Sequence, residues 1–301
     1  MSFPQPYAGF PKAEYHKLTL AADGVLLLSF NRPPVNAWID PKWRELTQIL
    51  RTVRDDPEVA AIVVAGEGRC FTAGLDLNNQ SLGSVLAEAP DAARKAIAMR
   101  SHLRDFQDAI SWFEWVEKPV IAAAHGVAFG LAIDLMSACD IRYATSDARF
   151  SIKEVDAGLA ADIGTLQRFP KIVGNDSLAR ELCYTAREFN AAEAREIGFL
   201  SKVVQGGREE VVGKSSFFNQ SSIVSLIRSA HPFLFVLLLC VIQLLPSRPP
   251  RKSPPSPPSP FEVPRSSSFT AETTGKSIKI LYLAIRSSTP STQLTLSSPF
   301  W

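Results

Sequence analysis

Lys118-Pro-Val-Ile-Ala-Ala-Ala-His-Gly-Val-Ala-Phe-Gly-Leu-Ala-Ile-Asp-Leu-Met-Ser-Ala-Cys-Asp-Ile-Arg-Tyr-Ala144 is the stretch that decides the fold class. Residues 119–124 form a short apolar run suited to a covered strand, and residues 125–130 a turn flanked by glycines. Residues 131–138 then read as a buried helix and 140–144 as another strand. Strands alternating with helices point to an α/β domain whose sheets are covered.

The alternation extends in both directions. Upstream, residues 15–20 and 25–30 are β-rich runs separated by Ala-Asp-Gly, a hairpin signal. Asn31-Arg-Pro-Pro-Val-Asn-Ala37 breaks regular structure, because consecutive prolines remove donors and fix the backbone. Asp40-Pro41 supplies a helix cap with proline in the first turn, and that helix should run to about residue 55. Residues 61–65 read as a strand, and 91–117 as a long helix with Met99, Leu103, Phe106, Ile110 and Phe113 on one apolar stripe. Downstream, helices are expected at 176–184 and 191–197, with a last strand at 201–204.

Two turns and three acids could carry chemistry. Phe71-Thr-Ala-Gly-Leu-Asp76 follows one strand and Gly126–Gly130 another, each leading toward a helix. Backbone N–H groups in such turns can converge on a carbonyl oxygen as it gains charge. The alternative is that both are plain connections. Asp134 and Asp162 lie in apolar surroundings, with Glu154 between them in sequence. Carboxyls so placed have raised pKa values, which suits acid–base work near neutral pH. Each also reads as a structural acid: a helix cap for Asp134 or Asp162, a surface ion pair with Lys153 or Arg149 for Glu154. His125 reads as a structural histidine, since no Gly-x-Ser-x-Gly elbow accompanies it. Residues 207–215 imitate a phosphate loop, but five residues separate the glycines where four are needed. The four histidines show no metal-ligand spacing.

At these residues the chain resembles the crotonase (enoyl-CoA hydratase/isomerase) superfamily, over residues 12–212. Residues 31–37, 71–77 and 118–126 are similar to its general motifs. Residues 138–143 and the long contiguous stretch 153–168 are similar to its Δ3,5-Δ2,4-dienoyl-CoA isomerase branch. The resemblance implies an α/β crotonase (ClpP-like) fold of repeated ββα units. It implies an acyl-CoA substrate with its thioester oxygen between the N–H groups of Ala73 and Leu131. Ala73, Gly74, Leu75, Asp76 and Leu77 would line the CoA and acyl site. Glu154 would take a proton from C2 of a 3,5-dienoyl thioester and Asp162 would return one at C6, with Asp134 a third acid in the pocket. No metal and no cofactor are expected, coenzyme A being part of the substrate. A homotrimer or hexamer, and a peroxisomal or mitochondrial location, are implied by family alone.

Hydratases of the superfamily pair two glutamates around a water, and the first of those positions is Asp134 here. An enoyl-CoA hydratase is therefore the competing enzyme. The usual glycine run is also replaced by Gly130-Leu-Ala-Ile-Asp134. A leucine required to adopt positive φ would distort the oxyanion site, which leaves a non-catalytic crotonase-fold protein as a third reading.

The whole chain has 301 residues and net charge +2, too near neutral for a nucleic-acid binder held by bulk charge. That sum hides two unlike parts. Residues 213–301 hold nine Lys or Arg, two acids and 12 of the 22 prolines, whereas 1–212 carry an excess of five acids. A crotonase-like domain at 12–212 is thus expected to be followed by a basic, disordered Ser/Pro-rich tail. Within the tail, residues 233–245 are an apolar run too short for a confident membrane span, with weak potential for membrane contact. Gly213-Lys-Ser215 can be encoded with an internal GTAAGT, so the tail also fits a retained intron or shifted frame. Without the usual C-terminal helices, the family oligomer is in doubt. The four cysteines form no disulfide framework, pointing to a reducing compartment, and the start lacks a secretory signal.

Overall fold

The computed structural model describes residues 4–78 and 90–218. These lie in the first of two compact units, residues 1–245; the second, 246–301, falls outside the described residues. So do the apolar run 233–245 and the proline-rich stretch.

In chain order the elements are β1 (Gln5–Pro6), β2 (His16–Ala22), β3 (Val25–Phe30), α1 (Asp40–Asp55), β4 (Ala61–Gly66) and α2 (Ala92–Trp115). There follow β5 (Val120–Ala124), β6 (Val127–Phe129), α3 (Leu131–Ala138), β7 (Ile141–Thr145) and β8 (Arg149–Ser151). After a 3₁₀ turn at Glu154–Ala157 come α4 (Thr165–Val173), α5 (Asp176–Thr185), β9 (Phe189–Asn190), α6 (Ala191–Glu196), β10 (Lys202–Val204) and α7 (Arg208–Phe218). A seven-stranded sheet has the order β1-β2-β3-β4-β5-β7-β10, antiparallel through β3 and parallel from there on. A smaller sheet joins β6, β8 and β9.

Every residue of β4 and β5 is buried, because both faces of this sheet are covered. The two-residue period of a strand sorts them. Ile62 and Val64, with Val120, Ala122 and Ala124, join the main core with α1, α2 and α3. Val63 and Ala65, with Ile121 and Ala123, face a second core closed by Val211 and Val212 of α7.

Helix α7 therefore runs across the domain boundary expected at residue 212. Arg208, at its start, ties it to the sheet by donating to the Gly66 carbonyl at 2.7 Å and to Ser29 Oγ at 3.1 Å. The imitation phosphate loop at 207–215 lies largely within this helix.

In α1, Trp43, Leu46, Ile49, Leu50 and Val53 are buried at helical spacing. Asp40, expected as the cap, is the first helical residue, and Ile39 occupies the cap position. Trp43 stacks on Phe106 of α2, with ring centroids 4.0 Å apart, locking the two helices together.

Candidate active site

Neighbouring parallel strands β4 and β5 have their C-terminal ends side by side, and the segments that follow them are knitted together. Phe71 N–H donates to the His125 carbonyl at 2.9 Å, and Phe129 N–H to the Thr72 carbonyl at 3.1 Å. His125 is buried, its Nε2 2.9 Å from the Gly68 carbonyl oxygen, as a structural histidine should be.

Beside these turns lies a cavity of about 290 Å³. Its walls bring together Asp134, Glu154 and Asp162, together with Ala73, Gly74, Leu75, Leu77 and Leu131. Asp76 is absent from the walls: its carboxylate accepts from the Arg32 guanidinium at 2.7 Å. Much of the remaining surface is apolar, from Trp38, Met99, Leu103, Phe106, Leu159 and Ile163. The stripe on α2 thus divides: Phe106, Ile110 and Phe113 are buried in the core, whereas Met99 and Leu103 are half-buried pocket residues.

Asp134 projects from the first turn of α3 and is buried. Its Oδ1 accepts the Thr165 backbone N–H at 2.6 Å, at the start of α4. Glu154 opens the 3₁₀ turn, and its buried Oε2 has no hydrogen-bond partner among the described residues. Asp162 sits just before α4, and its backbone carbonyl accepts from Gln107 Nε2 at 2.9 Å and Gln167 Nε2 at 3.0 Å. Those two amides fix where Asp162 leaves the backbone.

Burial raises all three carboxyls. Asp134 is pushed up to about 6, against the lowering effect of the Thr165 and Gly164 N–H groups. Glu154 is pushed up to about 8, first by burial and then by the Asp134 charge. Asp162 is raised by burial and partly relieved by its own N–H. Burial and mutual repulsion of the three carboxyls around one pocket both favour their protonated forms. Among the described residues no group of His, Cys, Asp and Glu side chains is arranged to hold a metal ion.

Of the two N–H groups expected to face a thioester oxygen, that of Ala73 is already engaged. Ala73 N–H donates to the Val35 carbonyl at 3.0 Å and has no freedom to serve a ligand. Gly74 N–H goes to Thr72 Oγ1 at 3.2 Å, and Asp76 N–H to the Trp38 carbonyl at 2.9 Å. In this turn the N–H without a partner among the described residues is that of Leu75. Opposite it, the Leu131 N–H, in the first turn of α3, has no hydrogen-bond partner among the described residues. The turns approach so closely that a Cβ on Gly74 would stand 3.6 Å from Leu131 N.

The concern over Leu131 is also resolved. Positive φ falls on Gly130 (φ 54), whereas Leu131 is the first helical residue and its side chain is buried in the core. Glycine stands where the backbone needs it.

The model of the family described as "Enoyl-CoA hydratase/isomerase" matches residues 21–220. The mouse protein named Delta(3,5)-Delta(2,4)-dienoyl-CoA isomerase, mitochondrial, is 45% identical over 190 residues, covering 63% of this chain and 58% of its own. An Arabidopsis thaliana protein with the same enzyme name, peroxisomal, is 42% identical over 189 residues, covering 62% of this chain and 67% of its own. The chain thus matches a little over half the length of the mouse relative. A Thermobifida fusca structure, described as an enoyl-CoA hydratase in complex with acetoacetyl-CoA, superposes with a TM-score of 0.60 at 26% identity. That match covers 76% of this chain and 88% of the other.

Proposed function

The chain belongs to the enoyl-CoA hydratase/isomerase family, and from that premise we propose that it converts 3,5-dienoyl-CoA to 2,4-dienoyl-CoA. The observation that carries the reading is the placement of Glu154 and Asp162 on one pocket, beside two free backbone N–H groups. The likeness to the mouse and Arabidopsis isomerases supports it.

In this mechanism the thioester oxygen lies between the N–H groups of Leu75 and Leu131. Ionised Glu154 takes a proton from C2, and the electron pair spreads through the diene onto that oxygen as a dienolate. The two donors stabilise the charge as it develops. Protonated Asp162 then delivers its proton at C6, and the double bonds come to rest at C2 and C4. Glu154 ends protonated and Asp162 ionised, and exchange with water restores both. The raised pKa of Glu154 makes it a strong base once ionised, and burial of Asp162 favours its protonated form. No electrons leave the substrate, so the reaction as proposed needs no cofactor.

Asp134 takes a positioning part. Its oxygen is engaged by Thr165 N–H, which argues against the competing hydratase reading, where two acids share a water. Names of relatives favour a mitochondrial or peroxisomal setting.

An ultraviolet assay with 3,5-dienoyl-CoA tests the proposal through the conjugated 2,4-dienoyl product. Glu154→Gln and Asp162→Asn should each lower turnover by about 10²-fold or more. Full activity in either variant refutes its assigned role.

A further inference from the structure

Lys42 is fully buried in the first turn of α1, with no carboxylate at ion-pair distance among the described residues. Its Nζ donates to the Asn36 carbonyl at 2.7 Å and lies 4.4 Å from the Trp38 ring centroid and 5.2 Å from that of Phe30. Burial pushes its ammonium well below the usual lysine range. Methionine has similar volume and no desolvation cost, so packing alone would not select a lysine here.

The carbonyl it grips belongs to the network that shapes the oxyanion turn. Asn36 adopts a left-handed conformation (φ 55), which asparagine tolerates. Its carbonyl also accepts from Thr72 Oγ1 at 2.9 Å, and that oxygen in turn accepts the Gly74 N–H. Its side-chain Nδ2 donates to the carbonyls of Glu67 at 2.8 Å and Cys70 at 3.0 Å. Residues 35–38 then run beside residues 73–76: Ala73 N–H meets Val35, Trp38 N–H meets Gly74 at 2.9 Å, and Asp76 N–H meets Trp38. The direction of the unpaired Leu75 N–H is the outcome of these bonds.

We propose that Lys42 is a positioning residue for the substrate's thioester oxygen: by holding the Asn36 carbonyl it sets Thr72, Gly74 and thereby the aim of the Leu75 N–H. This rests on the reading of Leu75 and Leu131 as the oxyanion donors. A lysine kept in an apolar site for this purpose exchanges stability for function.

The test compares Lys42→Met, Thr72→Val and Thr72→Ser in the full chain. Three quantities are measured: melting temperature, kcat and KM for 3,5-dienoyl-CoA, and affinity for acetoacetyl-CoA relative to CoA. Acetoacetyl-CoA presents an enolisable thioester to the donors, whereas CoA does not. For Lys42→Met the melting temperature should stay level or rise, while kcat falls about tenfold with KM within about twofold. The affinity ratio should fall with kcat. Thr72→Val should act in the same direction, and Thr72→Ser, which keeps the hydroxyl, should recover most of kcat. The proposal is overturned if Lys42→Met retains kcat and the ratio within twofold, or loses activity only in step with stability. Should Lys42→Met fail to fold, unchanged kcat and ratio in Thr72→Val overturn it equally. If the wild-type chain yields no dienoyl product, the function proposed above fails separately, and the affinity ratio still decides the role of Lys42.

Discussion

Asp134 Oδ1 accepts the backbone N–H of Thr165 at 2.6 Å, so an acid on one helix caps the start of another 31 residues away. The same carboxylate raises the pKa of Glu154. One side chain therefore places the segment bearing Asp162 and tunes the proposed base.

These two tasks separate by substitution. Asp134→Asn keeps an oxygen for Thr165 and should leave stability nearly unchanged. Asp134→Leu orphans a buried N–H and should cost about 1–3 kcal/mol in denaturant titration. Both remove the charge, so the pKa of Glu154 should fall from about 8 toward the ordinary carboxylate range. The acid limb of the kcat/KM profile should move to lower pH in Asp134→Asn.

Stability should decline with rising pH in a defined window. The folded-state pKa values of Asp134 and Glu154 lie above their ordinary values of 3.8 and 4.5. The folded chain thus binds these protons more tightly than the unfolded chain. Their stabilisation is complete below the ordinary carboxylate range and is lost as pH rises through about 6 and about 8. Glu154→Gln should flatten the upper part of this loss. Activity runs the other way, because Glu154 must ionise to act: kcat/KM should climb through the same window.

Gly74→Ala tests the gap between the two turns. Gly74 has φ 94, and a Cβ there would stand 2.9 Å from the Phe129 carbonyl oxygen. Backbone strain should cost about 1–3 kcal/mol. The forced separation of Leu75 from Leu131 should lower kcat by about 10²-fold, which steady-state kinetics and thermal melting would read.

Helix α7 supplies a test of where the folded body ends. A chain ending at residue 206 lacks Val211, Val212 and the Arg208 bonds to the sheet. A chain ending at residue 218 retains them. The shorter chain should melt at a clearly lower temperature; equal melting would show that α7 adds nothing to the sheet.

Much of this was legible in the sequence where a signal is local. The apolar runs that became β4 and β5 announce strands covered on both faces, and the stripe on α2 announces a long helix. Asp134 and Asp162 stand out in the sequence as carboxyls among apolar neighbours, with Glu154 between them, and the three meet in one cavity. What was not legible depends on distant partners. Helix α4 contains Pro170 and has Gly164 at its cap position, so its capping acceptor comes from Asp134. Helix α7 carries Val211, Val212, Phe217 and Phe218 as its large apolar residues, and the two valines find their partners only against the sheet. The turn at 71–76 is recognisable in the sequence, but the free N–H belongs to Leu75 because segment 35–38 takes the N–H groups of Ala73 and Asp76 and Thr72 Oγ1 takes that of Gly74. Leu131 looked obstructive until the positive φ fell on Gly130.

The proposed proton shift from C2 to C6 rests on two acids, Glu154 and Asp162. It is tested most directly by incubating the chain with 3,5-dienoyl-CoA in deuterium oxide and locating the label. The wild-type chain should form 2,4-dienoyl-CoA carrying deuterium at C6, and Asp162→Asn should not. A 3-hydroxyacyl-CoA from 2-enoyl-CoA, with the dienoyl substrate left unchanged, would contradict it.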